Sequence, residues 1–275
     1  MTMLHYLGAQ VAYAAVILLN ALAPVSADVE RDVAYAPGPS HLADVYRPST
    51  GEGCPVVVFL YGGGWRTGSK EGVASVGAAL ARNGFVAVVP EYRHFPEVGL
   101  PDILADNAAA VAWAIAHAPA FGGDPRRVVV AGHSSGAWAA AMLALDATWL
   151  ERAGTRPDAL AGMIGLAGPY AVSTLTDRAD QEVFAGAGPE MEPINDRPER
   201  HPPMLLLTGA DDADVLPSGT TALADRLRGR GGEAEAHVYA GLGHGEIVEA
   251  VSFPFLGRSS VSDDIEHFVR GAACR

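Results

Sequence analysis

The sequence predicts an α/β domain built on a mostly parallel sheet, and three observations carry that expectation. From Val29 onward, apolar runs of strand length alternate with longer Ala-rich stretches at helical spacing, the order expected of βα repeats. Runs such as Val56 to Tyr61 are unbroken, which suits strands covered on both faces. The 275 residues are 49% hydrophobic and 19% charged, ordinary globular usage that excludes disorder and fibrous repeats and calls for one sizeable core.

Taken in order, Met1 to Ala27 contains no Lys, Arg, Asp or Glu, and Val11 to Leu22 is apolar apart from Asn20. Pro24-Val25-Ser26-Ala27 follows, so the segment reads as a signal peptide cleaved after Ala27. It is short for a membrane span, which takes about 20 apolar residues. The expectation is a secreted or periplasmic protein with no stable membrane partner. The missing basic n-region departs from the pattern and keeps an uncleaved anchor and a packed helix as alternatives. The folded domain is expected over residues 28–275. Strands are expected at Ala43 to Tyr46, Val56 to Tyr61, Phe85 to Val89, Val128 to Ala131, Met163 to Leu166, Met204 to Leu207 and Ala236 to Tyr239. Helical stretches lie between them: Asp102 to His117 with apolar Ile103, Leu104, Val111 and Ile115, Ala137 to Leu145, and Thr220 to Arg228 closing at Gly229. Asp177 to His201 is polar, Pro-rich and without period, and reads as an irregular excursion. No internal repeat is visible, so one domain is expected.

Against 32 Asp and Glu stand 19 Lys and Arg, a net charge of −13, which argues against a nucleic-acid partner because phosphate affinity rests on basic neutralisation. Two cysteines exclude a disulfide-dense scaffold and a four-cysteine zinc site. No H-E-x-x-H or paired C-x-x-C occurs, and His244-Gly245-Glu246 lacks a partner at ligand spacing, so neither a metal nor a cofactor is expected.

The chemistry-bearing residues follow the strand runs. After Val128-Val129-Val130-Ala131 comes Gly132-His133-Ser134-Ser135-Gly136 and then a helical stretch, the G-x-S-x-G pattern in its strand, turn and helix context. The glycines leave room for a nucleophile on a sharp turn, which selects Ser134; Ser135 in that role would lack them. A serine hydroxyl needs a base, and the base needs an orienting group. The loop after Met204 to Leu207 offers Asp211, Asp212 and Asp214, and the loop after Val238-Tyr239 offers the glycine-flanked His244. Strand ends on one edge of a parallel sheet converge, so a Ser, Asp, His set can meet there. Donors for an oxyanion are expected from the N–H groups of Gly63 and Gly64, in the loop Gly62-Gly63-Gly64-Trp65, and of Ser135. A phosphate cradle is disfavoured, since neither Walker spacing nor G-x-G-x-x-G is present. For Trp65, lining an acyl pocket and packing the loop onto the domain both stay open.

With these segments in place the sequence resembles the α/β-hydrolase fold, and within it bacterial carboxylesterases of the feruloyl-esterase-like, arylformamidase-like and prenylcysteine-methylesterase-like group. The resemblance covers roughly residues 40 to 270. It rests on Tyr61-Gly62-Gly63-Gly64-Trp65 with Gly68-Ser69-Lys70, Glu91-Tyr92-Arg93-His94-Phe95-Pro96-Glu97, Phe121 to Arg127, and Gly209-x-x-Asp212-x-x-Val215. It implies an eight-stranded, mostly parallel sheet with helices on both faces, and a serine esterase with Ser134, Asp212 and His244 as its triad. Substrates are expected to be esters of small to medium acyl groups, because the segment before the acid loop is short for a large lid. Amide or formamide hydrolysis with the same machinery is the runner-up, and a non-catalytic binding module the third reading. Two departures stand out: Tyr61 where many relatives carry His, and Glu91 where Asp is usual. Asp102, Asp106 and Asp124 are read as caps and turns. Cys54 and Cys274 are expected at the same sheet edge, as a disulfide or as two thiols.

Overall fold

A computed structural model describes residues 27–49, 51–195, 200–252 and 259–272. Eight strands form one sheet: β1 (Asp28–Ala34), β2 (Leu42–Arg47), β3 (Cys54–Leu60), β4 (Val86–Pro90), β5 (Gly123–His133), β6 (Leu160–Leu166), β7 (Met204–Gly209) and β8 (Ala234–Tyr239). Their order is β1-β2-β4-β3-β5-β6-β7-β8. β2 pairs antiparallel with both β1 and β4, and the other pairs are parallel. The seven expected runs fall on β2 to β8. β1, Asp-Val-Glu-Arg-Asp-Val-Ala, has no fully buried position; an edge strand with so polar a sequence carries no period to read.

Strand alternation explains the unbroken apolar runs. On β3, Val56, Val58 and Leu60 enter one core, while Val57 and Phe59 enter the other. The first core is covered by α2 (Leu100–His117), α3 (Ser135–Leu145) and α6 (Ser218–Arg228); the second by α1 (Ala74–Arg82), α7 (Glu246–Ser252) and α8 (Ser259–Ala272). Each valine so buried contributes roughly 1.5–3 kcal/mol. Among the described residues no helix is long and apolar enough to cross a membrane.

Two expectations need correction. Asp177 to His201 is not simply irregular. It begins with the six-residue α5 (Arg178–Val183), whose N-cap Asp177 accepts from the Ala179 N–H, and continues through 3-10 turns at Pro189–Met191 and Pro193–Asn195. One-turn helices are too short to show a period. A bridge from Leu175 to Val215 ties the stretch before α5 to the acid loop. Asp106 is not a cap: it lies inside α2, 5% exposed, and accepts from Arg93 Nε at 2.8 Å, Arg93 Nη2 at 2.7 Å and the Arg93 N–H at 3.1 Å. Burial works to raise its pKa, but these bonds prevail and hold it below the usual carboxylate range. Asp102 does sit in the first turn of α2, and Asp124 Oδ1 accepts from the Arg126 N–H, a turn. The expected signal segment up to Ser26, and Cys274, lie outside the described residues; Cys54 is buried at the start of β3.

Candidate active site

Four parallel strands deliver four loops to one edge of the sheet: residues 62–64 after β3, Ser134 after β5, Asp212 after β7 and His244 after β8. Ser134 has φ 54° and ψ −124°, a conformation that costs of order 1–3 kcal/mol and persists only when its surroundings enforce it. The surroundings are the two flanking glycines. A Cβ on Gly132 would strike the backbone of Gly136, and one on Gly136 would strike the carbonyls of Leu60 and Tyr61. The turn is closed by Ser134 N–H donating to Leu166 O at 2.9 Å and Ala137 N–H to Ser134 O at 2.9 Å.

His244 Nε2 stands 2.9 Å from Ser134 Oγ and its Nδ1 2.8 Å from Asp212 Oδ2. A carboxylate only accepts, so Nδ1 carries the proton and Nε2 is free to accept from the serine hydroxyl. Asp212 is 4% exposed. Its Oδ1 accepts the N–H groups of Asp214 at 3.0 Å and Val215 at 2.9 Å, which turns Oδ2 toward the imidazole. Asp211 and Asp214 are exposed. The structure therefore brings Ser134, His244 and Asp212 into one hydrogen-bonded line and leaves the other two aspartates outside it.

The glycine loop is fixed from behind. Gly63 O accepts from Arg66 N–H at 3.1 Å, Thr67 N–H at 3.1 Å and Thr67 Oγ1 at 3.1 Å. Because a peptide is planar and trans, pinning this carbonyl points the Gly64 N–H the opposite way. Among the described residues, the N–H groups of Gly63, Gly64 and Ser135 donate to no other group of the chain. Gly63 and Gly64 have φ 144° and 60°, values that favour glycine. Trp65 is 1% exposed and packs edge-on against Trp138 of α3 and Phe184 just after α5, so it ties the loop to the body of the domain.

Sequence reasoning missed three features here. The residue before Ser134, His133, places Nε2 2.9 Å from the carbonyl oxygen of His244; burial, then the neighbouring His244, pushes its pKa down to about 3. Asp180 of α5 sets its carboxylate against the Cα of Gly64, and burial, then Asp177, pushes its pKa up. The third is a polar cluster behind the glycine loop, with Tyr61, Lys70 and Asp44 buried. Tyr61 Oη donates to Glu91 Oε1 at 2.5 Å, and Glu91 Oε2 accepts the Lys70 N–H at 3.1 Å. Lys70 Nζ contacts Asp32 and Asp44, each at 2.8 Å, and Glu71 at 2.6 Å. Among the described residues no group of three or more His, Cys, Asp or Glu is placed to hold a metal ion.

Comparison with known proteins gives a consistent picture. A family model described as BD-FAE matches residues 43–227. The isoprenylcysteine alpha-carbonyl methylesterase ICME of Arabidopsis thaliana is 28% identical over 265 residues, covering 87% of this chain and 62% of its own. Esterase LipC of Mycobacterium tuberculosis is 29% identical, covering 72% of this chain and 55% of its own; the chain thus spans little more than half the length of such relatives. A solved carbohydrate esterase from gut microbiota superposes with a TM-score of 0.78 at 19% identity, over 90% of this chain and 97% of that one. An esterase of Pyrobaculum calidifontis gives 0.75 at 24% identity, over 94% and 89%. The architecture is that of the α/β-hydrolase fold.

Proposed function

The chain belongs to the BD-FAE family, and on that premise we propose that it hydrolyses carboxylic esters through an acyl-enzyme formed on Ser134. The observation that carries this reading is the unbroken line from Ser134 Oγ through His244 to Asp212, with spacings of 2.9 and 2.8 Å, beside backbone donors that no group among the described residues uses. His244 takes the serine proton as Oγ attacks the acyl carbon, then gives it to the departing alkoxide; Asp212 holds the tautomer and stabilises the imidazolium. The N–H groups of Gly63, Gly64 and Ser135 receive the oxyanion at no reorganisation cost. Water, activated by the same imidazole, then releases the acid. The names of relatives such as the methylesterase and LipC support an ester rather than an amide bond. Among the described residues between β6 and β7 the helical elements are the six-residue α5 and 3-10 turns, which supports small to medium acyl groups. The uncharged segment before Asp28 supports export to the periplasm or medium.

The test is hydrolysis of p-nitrophenyl acetate, butyrate and octanoate by the chain from Asp28, beside Ser134→Ala. Expected are turnover that falls toward octanoate, its loss in the variant, and labelling of Ser134 by a fluorophosphonate. A folded protein that is inert on all three esters and unlabelled would overturn the reading and point to a binding module.

A further inference from the structure

His133 occupies a position that the G-x-S-x-G pattern leaves free, yet its imidazole lies against two separate loops of the candidate site. It is the residue before the proposed nucleophile. Its Nε2 lies 2.9 Å from the carbonyl oxygen of His244, 111 positions along the chain. Its ring lies 4.9 Å, centroid to centroid, from the His244 ring, tilted by 43°. On the other side, a Cβ placed on Gly62 would come within 3.0 Å of His133 Nδ1 and 2.9 Å of His133 O, so the first residue of the glycine loop lies close against this residue.

Resting on the esterase reading above, we infer that His133 is a positioning residue: its Nε2–H donates to His244 O and fixes the loop that aims the catalytic imidazole at Ser134. A carbonyl oxygen only accepts, so Nε2 must carry a proton, and in the neutral ring Nδ1 is then bare. The environment enforces that state, since burial, then the adjacent His244, holds the pKa near 3. Neutrality also suits the chemistry. When His244 becomes imidazolium, a second cation at this distance would oppose the step, whereas a neutral ring does not. His244 lies between Gly243 and Gly245 on a loop, and glycine neighbours leave its backbone the freest of the three triad members. A hydrogen bond to its own carbonyl is therefore an effective place to remove that freedom, because a misplacement of about 1 Å at a reacting group costs on the order of 100-fold.

Gln and Met have nearly the same shape, but only Gln can supply an N–H near the position of Nε2. In His133→Met the expected result is kcat for p-nitrophenyl acetate lowered about 10- to 100-fold, with KM within about twofold, because the lost bond touches alignment and not binding. In His133→Gln, kcat is expected within about fivefold of wild type, with the acid limb of the kcat/KM profile unmoved. Equal losses in both variants, or wild-type kcat in His133→Met, would overturn the inference. Should His133→Met fail to fold, His133→Gln alone decides: a kcat loss beyond tenfold with the donor retained overturns it, and a loss within fivefold supports it. Failure of the esterase reading looks different, since wild type itself would then be inert.

Discussion

The two sides of the proposed catalytic edge are held by different means. On the nucleophile side, the loops after β5, β7 and β8 bond directly to one another through Ser134, Asp212, His244 and His133. On the glycine side, the Gly63 carbonyl bonds to its own turn at Arg66 and Thr67, and the loop is backed by a largely buried cluster of Tyr61, Glu91, Lys70 and Asp44 that does not touch Ser134, Asp212 or His244. Damage to the first side should therefore strike the chemical step with little loss of fold. Damage behind the second should strike the fold first and the chemistry through it.

The largest effect tests the nucleophile side. Asp212→Ala removes the acceptor that fixes the His244 tautomer, and kcat should fall about 10³- to 10⁴-fold, with substrate binding nearly intact. Steady-state kinetics on p-nitrophenyl butyrate, with thermal unfolding as the control for folding, reads it. A loss under tenfold would mean that another carboxylate orients the ring. Next comes Gly63→Ala. Its Cβ would collide with the Thr67 carbonyl from a backbone at φ 144°, so the turn must shift and carry its N–H groups away. Loss of one such donor costs about 10²- to 10³-fold in kcat, and unchanged kcat would remove this loop from the oxyanion site.

The third experiment sharpens the contrast. Lys70 is 4% exposed and Asp44 is fully buried; burial works against the lysine's charge, but its bonds to Asp32, Asp44 and Glu71 outweigh that and raise its pKa. Lys70→Met leaves the buried Asp44 to the half-exposed Arg31, whose Nη1 lies 3.0 Å away, and to the Asp32 N–H at 3.1 Å; breaking a buried pair outright costs about 3–5 kcal/mol, so a loss of up to about 3 kcal/mol is expected. Denaturant unfolding should show that loss while kcat, at a temperature where the variant is folded, changes only a few-fold. A kcat loss equal to that of Asp212→Ala, with stability intact, would erase the distinction between the two sides.

The same contrast sets what the sequence made legible. β2 to β8, Ser134 and His244 are readable because each rests on a local signal: an apolar run, a glycine bracket, a loop at a strand end; Asp212 is singled out from Asp211 and Asp214 by the family resemblance alone. The features that hold them are long-range and leave no local trace. Tyr61 and Glu91 look like two unrelated departures from the resembled pattern, 30 positions apart; in the folded chain they are one hydrogen bond of 2.5 Å. Likewise His133 sits at a variable position of the motif, and its partner is a backbone carbonyl, which no residue type encodes. β1 and α5 escaped for a different reason, being too polar or too short to show a period.

The smallest effect concerns acid stability and isolates His133 from the many carboxylates that also titrate. In the unfolded chain a histidine takes up its proton near pH 6.5; in the folded chain His133 does so only near 3. Between these values the unfolded state binds the extra proton, so stability rises with pH. The contribution is complete above about 6.5 and is lost as the pH falls from there toward 3. Asp106, whose pKa is lowered, adds a loss of the same sign at lower pH, and it does so equally in wild type and variant. The difference in urea midpoint between wild type and His133→Gln, followed from pH 7.5 to 4, should therefore shift steadily in the variant's favour. A constant difference across that range would mean that the imidazole titrates normally in the folded protein, and that the nucleophile side tolerates a second charge beside His244.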